Sequence, residues 1–302
     1  MAKTSSLSQE PETQDSDRET KNAIFSTKEA IEKIKAGNTA LPGRREELGI
    51  TVQTVQAPIP SGGLVYPQDH PLFQLDEVEI KTMTAKEENI LMSKALIRRG
   101  TVINELLKSS IIDKKVDVLT LLSGDRMALV FAIRAQGYGD EFEQKMTCPE
   151  CENSQEEIYL ISDFKIKELD LEKVKQVEHG ENLFAFTLPT TQKEVWFKFL
   201  TGKDEESILQ AVETRKKKGM QNDESVTTRL MHSIVAIDGK TDKSFITLFI
   251  QNMPAKDSRA LRTHIEENEP GINTAKEFIC NNCGFSGDMT PPMGVSFLWP
   301  GK

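Results

Sequence analysis

The amino-acid sequence predicts an α+β protein in which a helical layer is followed by two cysteine-bearing β-hairpins, with a second α+β block between them. All four cysteines of the 302 residues occur in two C-x-x-C pairs, CPEC at 148–151 and CNNC at 280–283. Strand-like alternation flanks each pair, and apolar residues recur at helical spacing through residues 76–140. An extended N-terminal arm precedes these parts.

The arm is predicted to span residues 1–75. Residues 1–22 are rich in Ser, Thr, Glu and Asp without apolar periodicity, a composition typical of disorder. Residues 38–75 include apolar side chains such as Tyr66 and Phe73, between prolines at positions 42, 58, 60, 67 and 71. An extended segment cannot bury these side chains within itself, so we expect the arm to lie on the body or on a neighbouring subunit.

Residues 76–140 are predicted to form a helical domain. After a short alternating strand, EVEIKT, the spacing of Thr84 and Glu87 is that of a capping box, at the start of a helix that continues toward Gly100. A second helix follows at TVINELLKSSI and a third at residues 125–137. Because the third helix is apolar on nearly all sides, we expect it to lie at the centre of the layer.

Residues 141–164 and 275–302 are predicted to form the two hairpins and an apolar C-terminal tail that buries Phe297 and Trp299 in a groove. Residues 165–274, between the hairpins, are predicted to be an inserted α+β domain. Its predicted elements are a hairpin around PTTQK and helices over 204–219, 225–237, 243–253 and 256–270.

The cysteine spacing points to a structural metal. Zinc in a structural site takes four ligands at tetrahedral corners, and a C-x-x-C turn between two strands supplies two thiolates from one tight loop. We therefore predict a zinc ribbon of two β-hairpin knuckles, with a four-cysteine zinc site formed by Cys148, Cys151, Cys280 and Cys283. Gly284 fits the positive φ that such a turn often needs after its second cysteine.

Two alternatives for the cysteines are less favoured. A redox C-x-x-C of the thioredoxin kind opens a helix after a strand, whereas the residues after Cys151 have the pattern of a turn and a strand. Two disulfides are typical of exported proteins, and residues 1–22 lack the apolar segment of a secretory signal. Four thiolates would also leave no open position for a catalytic water on the metal.

Composition argues against several other classes. The formal net charge of −9 and pI near 5.2 disfavour nucleic-acid binding, and RKKKG at 215–219 is typical of a helix C-terminus. No apolar run approaches the roughly 18 residues of a membrane span. The sequence has none of the common zinc-protease, phosphate-loop, dinucleotide or serine-hydrolase motifs. The histidines are scattered, at His70, His179, His232 and His264.

Six segments in a fixed order carry a resemblance to a known family. They are LSGDRMALVFAIRAQGYGDEFE, TCPEC, LPTTQKEVWFKFLTGKDE, DSRALRTHIEENEPGI, CNNCG and FLWP. In this order they resemble the baseplate hub subunit family of T-even-like, contractile-tailed bacteriophages, over roughly residues 76–300. The resemblance implies a structural or assembly protein without enzymatic activity, and the cysteine positions match directly.

Three hypotheses follow. The first is a structural component of the tail baseplate in the hub or wedge region, retained in the virion after assembly in the host cytoplasm. It would have other baseplate and tail proteins as partners, and multiple copies in a large symmetric assembly. The second is a hub assembly chaperone that is absent from the mature virion. The third is a zinc-ribbon nucleic-acid-binding protein, which the acidic balance disfavours.

Overall fold

The structure, a computed structural model, describes residues 52–217 and 225–298 and confirms the α+β class. The helices are α1 (Ala85–Met92), α2 (Lys94–Arg99), α3 (Val102–Ser110), α4 (Ser123–Tyr138), α5 (Gly202–Lys217), α6 (Ser225–Ser233), α7 (Lys243–Asn252), α8 (Ala255–Asn268) and α9 (Val295–Leu298). The strands are β1 (Thr54–Pro58), β2 (Glu77–Lys81), β3 (Glu141–Thr147), β4 (Ser154–Leu160), β5 (Lys165–Lys167), β6 (Lys175–Gln176), β7 (Phe184–Thr187), β8 (Glu194–Phe197), β9 (Ile234–Ile237), β10 (Gly271–Asn273), β11 (Lys276–Ile279) and β12 (Ser286–Met289). Within the described ranges, no helix combines the length and hydrophobicity of a membrane span.

Residues 54–75, predicted as part of an arm that lies on the body or on a neighbouring subunit, pack into the body. Strand β1 pairs antiparallel with β2 over its whole length, from Thr54↔Lys81 to Pro58↔Glu77. The loop that follows buries several apolar side chains, among them Val65, Tyr66 and Leu72. These residues reach a core because β2 supplies backbone partners and the helical layer supplies an apolar surface. The first 51 residues lie outside the described part of the chain.

The helical layer begins as predicted and then departs from the prediction. Thr84 and Glu87 form the capping box at the start of α1. The expected single helix toward Gly100 is interrupted at Ser93, whose backbone is extended and whose hydroxyl accepts from the Leu96 N–H at the start of α2. A serine competes well for a helix N-cap, which explains the break.

Helix α4 is the centre of the layer, as its sequence predicts. It buries Leu129, Val130, Phe131 and Ile133 among other residues. Its first turn also buries Asp125, a carboxylate that carries no exposed surface.

A hydrogen-bond network attaches this first turn to the loop after β1. Asp125 accepts from the Ser61 N–H at 2.9 Å, the Ser61 hydroxyl at 2.6 Å and the Tyr66 hydroxyl at 2.5 Å. The Tyr66 oxygen in turn accepts from the Leu122 N–H at 3.0 Å. This network fixes the loop to α4.

The predicted insert contains a four-stranded antiparallel sheet of order β6-β7-β8-β9, with α5 and α6 between β8 and β9 and with α7 and α8 after β9. The helix predicted over 225–237 is wrong in its second half. Helix α6 ends at Ser233, and the β-branched run IVAI continues as β9 beside β8. The apolar run forms a strand because its backbone completes the sheet edge.

The two ends of the predicted insert lie side by side. Strand β5 pairs antiparallel with β10, with Gly271 opposite Lys167 and Asn273 opposite Lys165. The first and last residues of the predicted insert are therefore adjacent, although more than a hundred residues of chain separate them.

The C-terminal tail is fixed to α4 and β3 by a buried arginine. Arg134 is 1% exposed and donates to the carbonyl oxygens of Phe297 at 2.9 Å, Gly139 at 2.7 Å and Glu141 at 2.9 Å. The Phe297 ring is buried against Phe131, as predicted for the tail. Trp299, the other predicted anchor, lies outside the described residues.

Replacing Asp125 with alanine tests the network on α4. Three donors on Ser61 and Tyr66 would lose their acceptor, and each unpaired buried donor costs roughly 1–3 kcal/mol. We expect the free energy of unfolding, measured by urea titration, to fall by about 3 kcal/mol or more. Asp113→Ala, at an exposed turn carboxylate, is the matched control and should cost less than about 1 kcal/mol. Equal losses in the two variants would contradict this account.

The lowered pKa of Glu87 predicts that the free energy of unfolding depends on pH in the acid range. Burial alone raises the pKa of Glu87, but hydrogen bonds from Lys81, Ser109 and Thr84 outweigh burial and lower the pKa from 4.5 to about 2. A lowered folded-state pKa stabilises the protein above pH 4.5, and that contribution is lost as the pH falls toward 2. We therefore expect Glu87→Gln to unfold more easily than the wild type at neutral pH.

Urea titrations of both proteins through this pH range measure the effect. The difference in unfolding free energy should be on the order of 3 kcal/mol near neutral pH and should shrink as the pH approaches about 2. Glu105→Gln, on the exposed side of α3, serves as the control and should keep the wild-type pH dependence. A difference that stays constant with pH would show that the Glu87 charge is not its source.

Candidate metal centre

The two C-x-x-C pairs lie on two antiparallel hairpins, as predicted. Strands β3 and β4 pair over seven residues, ending at Thr147↔Ser154, and the first pair occupies the turn between them. Strands β11 and β12 end at Ile279↔Ser286, and the second pair occupies that turn. Both hairpins turn toward one another, so that their cysteines meet.

The two turns have the same backbone geometry. The Cys148 N–H donates to the Asn153 carbonyl at 2.8 Å, and the Cys280 N–H donates to the Phe285 carbonyl at 2.8 Å. In each turn the N–H of the residue after the second cysteine donates to the carbonyl of the first cysteine, at 3.0 Å and 2.9 Å. The hairpins therefore present their sulfurs in equivalent ways.

The residue after the second cysteine has a left-handed backbone in both turns. Gly284 has φ 74°, which confirms the expectation for that position. Its counterpart Glu152 has φ 57°, although a side chain there is strained. The sequence carries no glycine signal at 152, and only the repeated C-x-x-C-x spacing could have revealed this conformation.

The four sulfurs form one cluster. The Cys148 and Cys283 sulfurs are 3.7 Å apart, and those of Cys151 and Cys280 are 3.6 Å apart. No two of the four lie more than 4.8 Å apart. A tetrahedral metal with sulfur bonds of about 2.3 Å needs sulfurs about 3.8 Å apart. The cluster could thus hold a metal ion with little adjustment, and its soft thiolate donors suit zinc.

The electrostatics of the cluster also favour a cation. A hydrogen bond from Asn282 and one from the Asn153 backbone lower the pKa of Cys151 to about 6. The Phe285 backbone likewise favours the Cys283 thiolate, but the neighbouring sulfurs outweigh it and raise the pKa of Cys283 to about 12. Four thiolates cannot form so close together unless a positive charge compensates them.

Polar contacts outside the cysteines connect the hairpins directly. The Gln155 amide nitrogen donates to the Ile279 carbonyl at 2.9 Å, and its amide oxygen accepts from the Asn281 N–H at 2.9 Å. Asn282 approaches the Cys151 sulfur at 3.5 Å. These residues escaped the sequence reasoning because a lone Gln or Asn beside a cysteine pair has no distinctive spacing.

The other residue types considered for chemistry do not join this site. Within the described ranges, the cysteines are the one group of metal-ligating side chains found close together. His264 stacks on Phe186 with ring centroids 4.4 Å apart, and His70 stacks on Tyr66 at 4.4 Å. These two histidines are packed against aromatic side chains of the body.

Comparison with known families identifies the family to which the chain belongs. A family model described as T4 bacteriophage base plate protein matches residues 59–299, which include both hairpins and everything between them. The chain belongs to this baseplate protein family. No curated protein and no solved structure is significantly similar to it. In this baseplate protein the match begins just after β1 and includes all four clustered cysteines.

Replacing one cysteine tests the metal centre of this baseplate protein. We expect Cys280→Ser to lower bound zinc and the thermal unfolding midpoint together, because three thiolates hold zinc less tightly and the hairpins lose their cross-link. Metal is measured by elemental analysis of protein that was never exposed to chelators. Asn282→Ala should have a smaller effect, roughly a 10- to 100-fold loss of zinc affinity.

Glu150→Ser provides the matched control, since it introduces the same side chain at an exposed position of the first turn. It should leave both zinc content and melting temperature near the wild-type values. Unchanged metal stoichiometry in Cys280→Ser would count against a four-thiolate site.

Proposed function

We propose that the chain is a structural component of a contractile-tail baseplate, placed in the hub or wedge region and present in multiple copies. The observation that carries the proposal is the family match over residues 59–299. The order of segments that resembles the hub subunits supports the finer assignment. On this proposal the protein is not an enzyme, resides in the virion tail and is assembled in the host cytoplasm.

The proposed role of the metal is structural. Zinc held by Cys148, Cys151, Cys280 and Cys283 would cross-link the hairpins of 141–164 and 275–302, with residues 165–274 as an inserted domain. Four thiolates fill a tetrahedral zinc and leave no position for a reacting water, which supports a structural site over a catalytic one. Apparent binding energies of structural zinc, roughly 10–16 kcal/mol, exceed the net stability of many domains.

The proposed partners are other baseplate and tail proteins. The chain is acidic, and we propose that residues 1–51 dock on neighbouring subunits. Nucleic acid and membrane are not proposed as partners, because the formal net charge of −9 opposes attraction to phosphate.

Virion composition tests this proposal. We expect mass spectrometry of purified virions to detect the chain at a constant ratio to other baseplate proteins.

Deleting residues 2–51 should leave the thermal midpoint of the body within a few degrees of the full chain, while incorporation into baseplates falls by about tenfold or more. The deletion stops before β1, since β1 pairs with β2 in the core.

Two outcomes would contradict parts of the proposal. A chain required for baseplate formation but missing from purified virions would identify an assembly chaperone. Normal incorporation of the shortened chain would refute docking through its N-terminal residues.

A further inference from the structure

The cysteine-bearing β3–β4 hairpin has one face that no part of the described chain covers. Side chains alternate along both strands, and one set is buried, as with Phe142 and Tyr159, whose rings stack 5.5 Å apart. The opposite set is exposed at every position. We call it the outer hairpin face. Its residues are Glu141, Glu143, Lys145, Thr147, Ser154, Glu156, Ile158 and Leu160.

This face exposes aliphatic side chains where a solvated hairpin would carry polar ones. Ile158 is 63% exposed, the largest value among the large hydrophobic residues of the described ranges, and Leu160 is 40% exposed. They lie two residues apart on one strand, so their side chains are neighbours on the same face. Covering both side chains would remove their exposed apolar surface from water and so stabilise a complex.

Carboxylates surround this aliphatic pair. In the strand register Glu143 lies opposite Ile158, Glu141 lies opposite Leu160, and Glu156 lies opposite Lys145. Three carboxylates and one ammonium give the face a formal charge of −2. Among the described residues, none of these three carboxylates makes an ion pair. The net negative charge of the face is therefore available to a partner.

We propose that the outer hairpin face docks a neighbouring protein chain that presents an aliphatic patch flanked by lysines or arginines. Such a partner would cover Ile158 and Leu160 while its cations pair with Glu141 and Glu143. A second copy of this chain fits less well, because the same face on both partners would oppose carboxylate to carboxylate. The proposal rests on the proposed function and names the kind of neighbour that the subunit binds.

Photo-crosslinking during infection tests the proposal. The chain carries a photoreactive phenylalanine analogue at position 158. It is produced in cells infected with a phage that lacks a functional gene for this protein. We expect irradiation to join it to another baseplate protein, at a segment where mass spectrometry finds Lys or Arg beside aliphatic residues. Adding Glu141→Lys and Glu143→Lys should lower the crosslink yield by about tenfold or more.

A charge swap makes the test specific. Replacing the crosslinked partner's cations with glutamate should restore the yield against the double-lysine variant. Matched controls are the analogue at Leu248, a 61% exposed position on α7, and the single change Glu172→Lys at an exposed loop carboxylate. The first should give no crosslink to that partner, and the second should leave the yield from position 158 unchanged.

Several outcomes would overturn the proposal. The first is a crosslink confined to other copies of this chain or to its own residues 1–51. The second is a crosslink yield that the charge reversals leave unchanged. The third is the absence of any crosslink while the chain still enters baseplates. The last result also separates the two proposals, since detection of the chain in baseplates would leave the proposed function standing. Each variant is first checked for wild-type zinc content and melting temperature, so that misfolding cannot imitate a docking defect.

Discussion

The close approach of four cysteine sulfurs is the constraint on which the rest of the body depends. Two-stranded hairpins are marginally stable alone in water, and here two of them meet through their turns with sulfurs as close as 3.6 Å. The turns can hold their sulfurs there because both have the same backbone geometry, and Gln155 adds hydrogen bonds between them. A cation that neutralises the thiolates would convert mutual repulsion into a cross-link.

Other long-range contacts join the segments that resemble the phage family. Helix α4 meets the start of β10 so closely that a Cβ on Gly124 would lie 1.7 Å from the Pro270 carbonyl oxygen. Asp257, at the start of α8, accepts from the Thr190 and Thr191 N–H groups at 2.7 Å and 2.9 Å. Both contacts depend on particular residues of these segments, which a general apolar pattern would not supply.

The sequence predicts features that depend on local chemistry. The cysteine spacing, the capping box at Thr84 and the apolar helix α4 all carry signals within a few residues, and the structure contains each of them. Features decided by distant partners escaped prediction. Nothing near β1 shows that β2 will pair with it, and nothing in IVAI at 234–237 shows that β8 lies beside it.

The same limit applies to the site. The four clustered cysteines could be named from spacing alone, whereas Gln155 owes its role to the second hairpin, which is far away in the sequence. Glu152 owes its role to a turn conformation that its own residue type disfavours. Glutamate rarely adopts a positive φ, so its conformation at 152 follows from the repeated turn and not from its local propensity.

The two faces of the β3–β4 hairpin would connect a bound metal to the proposed docking. The inner face packs Phe142 and Tyr159 into the core, and the turn beyond it carries Cys148 and Cys151. If the outer face docks a neighbour, the strands that the partner contacts are the strands that a bound metal would hold in place. An interface gains affinity when its surface is ordered before binding, since less conformational entropy is lost on association. A subunit that has bound its metal would then dock more tightly than a subunit without metal, because its outer hairpin face is already ordered.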